Sequence, residues 1–232
     1  MNKLYLIPTT LSPTVDGHAL LSQQLSQIKH LKYFIVETAK VARQHLKHLE
    51  LDTLLQELQI QELNKHSQDL SQLIQPLLDG HDVGLMSDCG TPAIADPGNQ
   101  IVRLAHEYNI EVVPLIGPNS LVLALMASGA NGQSFTFNGY LPIVHETRIQ
   151  KIKQLQNTIL AQKTSQIIIE TPFRNQQLLK TLISMLNANI RLSIAINLMS
   201  SNQQIISQTI QKWQTLATLP DIHKHEVVFV LG

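Results

Sequence analysis

Along most of the chain, short apolar runs alternate with longer stretches of helical spacing. Leu4 to Ile7 is an unbroken apolar run stopped by Pro8, which predicts a buried strand entering a polar loop of Thr, Ser and Pro. Behind Asp16, a residue suited to N-capping, Ala19, Leu20, Leu21, Leu25 and Ile28 recur at intervals that predict a helix. Tyr33 to Val36 predicts a second strand, and Ala39, Val41, Ala42, Leu46 and Leu49 predict a surface helix after it. The stretch from Glu50 to Asp69 carries no sharp signal. A helix ending at Asp79-Gly80 precedes a third buried strand, Val83 to Met86. Asp96-Pro97-Gly98 opens a helix to about Tyr108 with Pro97 near its first turn, followed by a strand from Glu111 to Leu115 and a small-residue helix from Leu121 to Ser128.

The second half starts afresh. Ser134 to Phe137 alternates as a strand does and leaves through Gly139-Tyr140-Leu141-Pro142 into a basic helix. Gln166 to Ile169 predicts a strand ending at Glu170, Leu178 to Leu186 a helix, and Leu192 to Ile196 and Val227 to Leu231 two further strands. The fold class expected is α/β: two α/β domains, residues 1–116 and 117–232, with mainly parallel sheets covered on both faces. In such sheets ligands gather at the carboxyl ends of the strands.

Composition narrows the function classes. Lys+Arg and Asp+Glu both number 17, so no global positive field holds polyanions. The charge is uneven: residues 80–120 hold five acidic groups against one Arg, and residues 140–232 hold nine basic groups against four acidic. Arg148, Lys151 and Lys153 read as the solvated face of a helix. One cysteine excludes an internal disulfide, the first apolar run is too short for a signal peptide, and no stretch approaches the roughly 20 apolar residues that cross a bilayer. The expected compartment is the cytoplasm, with no membrane partner.

Three strand exits are rich in Gly, Pro and hydroxyl residues: Ser87-Asp88-Cys89-Gly90-Thr91-Pro92 through Asp96-Pro97-Gly98, Pro114 through Ser120, and Ile169 through Arg174. Small residues let a ligand approach the backbone, and Asp88 can accept hydrogen bonds from an amine, an amide or a ribose. The plainer alternative makes Asp88 and Asp96 helix caps. Glu170 ends an apolar run and needs a partner, for which Arg174, four residues later, is the nearest. Neither G-x-G-x-x-G nor a Walker loop occurs, and His45/His48 and His223/His225 lack the companions of a metal site. No metal is expected. Cys89 reads as a small space-filler.

These segments, with Leu4-Tyr5-Leu6-Ile7-Pro8-Thr9 and Phe137-Asn138-Gly139-Tyr140-Leu141-Pro142, resemble the tetrapyrrole methylase superfamily of S-adenosylmethionine-dependent methyltransferases, most closely its ribosomal RNA small subunit methyltransferase I branch. They occur in that family's order across nearly the whole chain. Two segments depart from its pattern: Thr9-Thr10-Leu11-Ser12-Pro13 stands for a Thr-Pro-Ile-Gly-Asn run, and Val36-Glu37-Thr38-Ala39-Lys40 for an acidic-Asp-Thr-Arg run.

The resemblance implies a homodimer whose methyl donor, S-adenosyl-L-methionine, lies in the cleft between the two domains of each chain. Pro8, Ser87, Asp88, Gly90, Thr91 and Ile94 of the first domain, and Asn119, Ser120, Ile169, Glu170, Thr171, Asn197 and Leu198, would contact it. It implies methylation of ribosomal RNA, at the ribose 2′-oxygen of a small-subunit cytidine, with no DNA partner. Glu37, Asp88 and Glu170 are then candidate bases and Arg174 an anion clamp. A tetrapyrrole or other small-molecule acceptor, and a non-catalytic donor-binding module, are the alternatives.

Overall fold

The structure, a computed structural model, describes residues 2–12, 17–63 and 70–232. The chain is α/β and divides into two compact units, residues 1–119 and 120–232.

The first unit follows the apolar runs closely. Its strands are β1 (Lys3–Leu6), β2 (Tyr33–Val36), β3 (Gln59–Glu62), β4 (Val83–Met86) and β5 (Glu111–Pro114), and its helices α1 (Ser22–Ile28), α2 (Ala39–Leu46), α3 (Leu70–Leu78) and α4 (Asn99–Glu107). The sheet order is β3-β2-β4-β1-β5, with every pairing parallel. Because side chains alternate across a strand, neighbouring residues feed opposite cores. Tyr5, Phe34 and Val36 pack with Ile28, Ala42 and Leu46 of α1 and α2 on one face. Leu4, Ile35 and Leu85 pack with Leu73, Leu77, Ile101 and Ala105 of α3 and α4 on the other. Fully burying one such side chain contributes roughly 1.5–3 kcal/mol, so each face is held by many times what a single cap supplies.

Three details differ from the sequence reading. The first helix begins at Ser22 with Leu21 at its cap, so Ala19 and Leu20 precede it, and Asp16 lies outside the described residues. Gly98, with φ 130°, is the cap of α4, which leaves Pro97 outside that helix. The featureless stretch contains β3, an edge strand paired with β2, in which Gln59, Gln61 and Glu62 are exposed and Ile60 alone packs partly buried against the core.

The second unit holds α5 (Ser120–Ser128), β6 (Phe135–Tyr140), α6 (His145–Gln162), β7 (Ser165–Ile169), α7 (Asn175–Met185), β8 (Arg191–Ile196), β9 (Gln204–Thr209), α8 (Ile210–Gln214) and β10 (Val227–Leu231). Its sheet order is β6-β7-β10-β8-β9. Only β6 and β7 pair in parallel; β10 is antiparallel to both neighbours, and β9 to β8. The expectation of a mainly parallel sheet therefore fails here, because an apolar run such as Val227–Leu231 carries no information about direction. β6 also runs on through Gly139, where a strand exit was expected, with a bulge between Phe137 and Tyr140. Ile152, Leu155 and Ile159 of α6, Leu179 and Leu182 of α7 and Trp213 of α8 close a core with Ile168, Ile194 and Phe229. On the opposite face the Ser128 carbonyl at the end of α5 accepts from the hydroxyls of Ser193 and Ser207.

Candidate functional site

In the first sheet the chain leaves β1 toward β2 on one side and leaves β4 toward β5 on the other, although β1 and β4 are neighbours. In open parallel sheets ligands bind outside the carboxyl ends of the strands where the order reverses, which here are the ends of β1 and β4. Pro8 and the loop from Ser87 to Gly98 leave the sheet there.

The loop is tightly tied. The Thr9 amide donates to the Gly90 carbonyl at 2.9 Å, the Ser87 hydroxyl to the Cys89 carbonyl at 3.3 Å, and Asn119 Nδ2 to Thr91 Oγ1 at 2.5 Å. Gly90 (φ 75°), Ala93 (φ 64°) and Ala95 (φ 67°) all sit in the left-handed region. For alanine that conformation costs energy the surroundings must offset, and such strain concentrates at ligand sites. Ile94, held between the two alanines, is 50% exposed, an apolar face offered to solvent. Gly117 lies so close to the Pro8 ring that a Cβ there would overlap it, so the loop after β5 and the loop after β1 are packed backbone to ring.

Asp88 is already engaged. Its Oδ1 accepts from the Thr38 amide at 3.1 Å and its Oδ2 from the Thr38 hydroxyl at 2.8 Å, while its own amide donates to Glu37 Oε2 at 3.3 Å. Thr38 is the N-cap residue of α2, so Asp88 anchors the start of that helix from 50 residues away. His45 Nε2 lies 3.1 Å from the Asp88 carbonyl oxygen. Cys89 is exposed rather than filling space, with its Sγ 3.4 Å from the Leu11 carbonyl oxygen. Pro8, Glu37, Ser87, Asp88, Gly90, Thr91, Ile94 and Asn119 thus belong to loops at or next to one edge of the first unit.

In the second unit β6, β7 and β8 all end at one edge, since β7 and β8 each run antiparallel to β10 and Tyr140 pairs with Ile169. Glu170 is buried and bonds Arg174 Nη2 at 2.5 Å and the Thr171 amide at 2.7 Å; Arg174 Nε also reaches Thr171 Oγ1 at 3.2 Å. Arg174 is the residue capping α7 rather than one inside it. Asn197 (φ 48°) donates its amide to the Glu226 carbonyl at 2.9 Å, accepts from the Glu226 amide through Oδ1 at 3.2 Å, and places Nδ2 2.9 Å from His225 Nδ1. Leu198 is buried beside it, and Ser120 opens α5. Glu226 keeps an exposed surface, but partial desolvation holds its carboxyl above the ordinary value of 4.5.

Sequence reasoning missed Arg148. It is only 6% exposed, because it shares the core-facing row of α6 with Ile152, Leu155 and Ile159, a spacing that was readable. Its Nη1 donates to the Ile143 carbonyl at 3.2 Å, and its Nε is buried without a partner among the described residues. A concavity lined by His30, Tyr33, His81 and Asp82 lies at the amino edge of the first sheet, away from every residue above. Among the described residues no group of three or more His, Cys, Asp or Glu can hold a metal ion, and no helix is long and apolar enough to cross a membrane.

Similarity to known proteins now bears on this geometry. The chain is 30% identical over 219 residues, 93% of its length, to the ribosomal RNA small subunit methyltransferase I of Halalkalibacterium halodurans, and covers 72% of that protein. The chain belongs to the ribosomal RNA small subunit methyltransferase I family. A family member from Hydrogenobaculum is 29% identical over 99% of the chain and 95% of its own length, and one from Synechocystis 28% identical over 91% of the chain and 72% of its own. No protein-family model matches the chain.

Proposed function

We propose that the loops at the β1/β4 reversal bind S-adenosyl-L-methionine and that the methyl group passes to small-subunit ribosomal RNA, at the ribose 2′-oxygen of a cytidine. Methyltransferase activity itself follows from the family. The observation that carries the donor reading is the coincidence of the reversal with a loop of small, left-handed residues. Pro8, Ser87, Asp88, Gly90, Thr91, Ile94 and Asn119 would hold the donor on this side. Gly90, Ala93 and Ala95 let the backbone come close, and Ile94 offers an apolar contact for a base. Ser120, Ile169, Glu170, Thr171, Asn197 and Leu198 are assigned to the donor on the resemblance. The wider tetrapyrrole methylase superfamily, a homodimer and a cytoplasmic setting belong to the same reading.

When bound, the donor supplies an electrophilic methyl carbon on a sulfonium sulfur. Alignment and exclusion of water then account for most of the rate, and the chain's residues act mainly by positioning. The new O–CH3 bond forms as the S–CH3 bond breaks, and the ribose hydroxyl proton must leave. Asp88 spends both oxygens on Thr38, and Glu170 is taken by Arg174 and the Thr171 amide. Glu37 is engaged as well, its Oε2 accepting from the Asp88 amide at 3.3 Å, so Glu37, Asp88 and Glu170 all stay candidate proton acceptors. Arg174, held by Glu170, is better suited to fixing the β7–α7 turn than to clamping an anion.

The test is calorimetric titration with S-adenosylmethionine, followed by incubation with small subunits that lack the modification and mass-spectrometric mapping of the added methyl. Binding with a 2′-O-methyl cytidine supports the proposal. No heat of binding removes the donor assignment, and methyl transfer into a tetrapyrrole but not into RNA removes the acceptor.

A further inference from the structure

The polar groups of Asp88 all bond to one short segment of the chain, the start and first two turns of α2. Its amide donates to Glu37, its carboxylate accepts from Thr38, and its carbonyl oxygen lies 3.1 Å from His45 Nε2. A carbonyl oxygen can only accept, so that nitrogen carries the ring proton and His45 donates it. Helix geometry explains the reach. Thr38 caps α2 and His45 stands seven positions later, about two turns on, which places both on one face of the helix. Ring side chains on a helix lean toward its amino end, so a histidine in the last turn points back toward the cap. Ala42 and Leu46, buried in the core, fix the rotation of the helix and keep His45 half-buried at the rim.

The His45 bond falls on the first of three successive carbonyls at the start of the Ser87–Gly98 loop. Asp88 accepts from His45, Cys89 from the Ser87 hydroxyl, and Gly90 from the Thr9 amide. A peptide is planar, so fixing a carbonyl fixes the plane that also carries the next amide. These three bonds therefore set three peptide planes in a row, immediately ahead of the left-handed turns at Ala93 and Ala95. Backbone of that kind persists only where its surroundings over-determine it. Of the three hydrogen-bond donors, one belongs to the loop itself and one to the exit of β1; only His45 is brought in by a helix.

We propose that His45 is a positioning residue for methyl transfer: by holding the Asp88 carbonyl it keeps the loop in the shape that receives S-adenosyl-L-methionine. The assignment rests on the reading of that loop given above, and it reaches a residue outside every segment that carries the family resemblance.

The experiment compares the full chain with its His45→Ala and His45→Gln variants in two readouts, calorimetric titration with S-adenosylmethionine and the labelling rate of Cys89 by an aromatic disulfide reagent. Cys89 is the chain's one cysteine, is exposed, and directly follows Asp88, so its labelling reports the loop's shape with no ligand present. His45→Ala is expected to weaken S-adenosylmethionine binding roughly 2- to 10-fold, the worth of one hydrogen bond, and to speed labelling. The amide nitrogen of Gln reaches about as far as Nε2 and also donates, so His45→Gln should return both readouts toward wild type. Alanine is the best helix former, so α2 persists in the first variant, and thermal melts verify the fold of both. Both readouts unchanged in His45→Ala, with or without a loss of stability, overturn the proposal and leave His45 a strut of α2. A change in only one readout also overturns it: weaker binding alone would make His45 a direct ligand contact, and faster labelling alone would separate the loop's shape from binding. Failure of His45→Gln to recover either readout removes the hydrogen bond as the cause. Should wild type itself give no heat with S-adenosylmethionine, the reading of the loop as its site falls, while the labelling rates still decide whether His45 holds the loop.

Discussion

Replacing Asp88 by Ala removes two hydrogen bonds at once, both from Thr38 to a carboxylate and both fixing the start of α2. Hydrogen bonds to charged groups contribute about 1.5–3 kcal/mol each. Asp88 is half-buried and solvent replaces part of that, so the expected loss is about 2 kcal/mol in total, comparable to losing a strong helix cap. Asp88→Asn keeps an acceptor for the Thr38 amide, and the Thr38 hydroxyl can rotate to accept from the new NH2, so its cost should be about 1 kcal/mol or less. Urea unfolding followed by circular dichroism reads both, with an unchanged slope required for the comparison. Calorimetry on the folded variants then separates roles: the Ala variant should bind S-adenosylmethionine more weakly, and Asn should fall between it and wild type. Equal stability of Ala variant and wild type would refute the anchoring role. Lost stability with donor affinity untouched would remove Asp88 from the donor site and leave it a purely structural strut.

Gly117→Ala drives a methyl into the Pro8 ring and should cost about 1–3 kcal/mol by overpacking, with a parallel fall in donor affinity; thermal melts and calorimetry check the pair. Arg174→Met strands the buried Glu170 carboxylate. Because Arg174 is 28% exposed, the loss should lie toward the lower end of the roughly 3–5 kcal/mol typical of broken buried pairs, and adding Glu170→Gln should recover part of it in urea titrations. Glu226 has its carboxyl raised above the unfolded value, so the native state holds the proton more tightly than the unfolded chain. Stability from this group is therefore present at acid pH and declines as pH climbs from the ordinary carboxylate value through the raised one. Glu226→Gln should flatten that part of the pH–stability profile, measured by urea midpoints across the carboxylate range.

The first sheet was legible because its inner strands β1, β2 and β4 are largely buried and read as unbroken apolar runs. β3 was not, since Gln59, Gln61 and Glu62 face solvent and a single inward residue, Ile60, leaves no period to read. β9 and α8 escaped for a related reason: Gln204 and Ile205 are exposed, and five residues of α8 are too few to show a period. Strand direction in the second sheet was invisible, because hydrophobicity is the same read either way. At the candidate site the Gly- and Pro-rich exits announced themselves, whereas the Asp88–Thr38 anchor joins residues far apart in sequence. The Arg148 spacing was present in the sequence but was masked by the neighbouring lysines, which favour a solvated reading.

The central strand of the second sheet, β10, is also the last strand in chain order. During synthesis the first unit can close as soon as residues up to about 119 have emerged. The β6–β7 pair and the β8–β9 hairpin must instead wait as two separate flaps until Val227–Leu231 arrives between them. For that interval the nascent chain exposes two unpaired inner edges, so this half is the one open to mispairing.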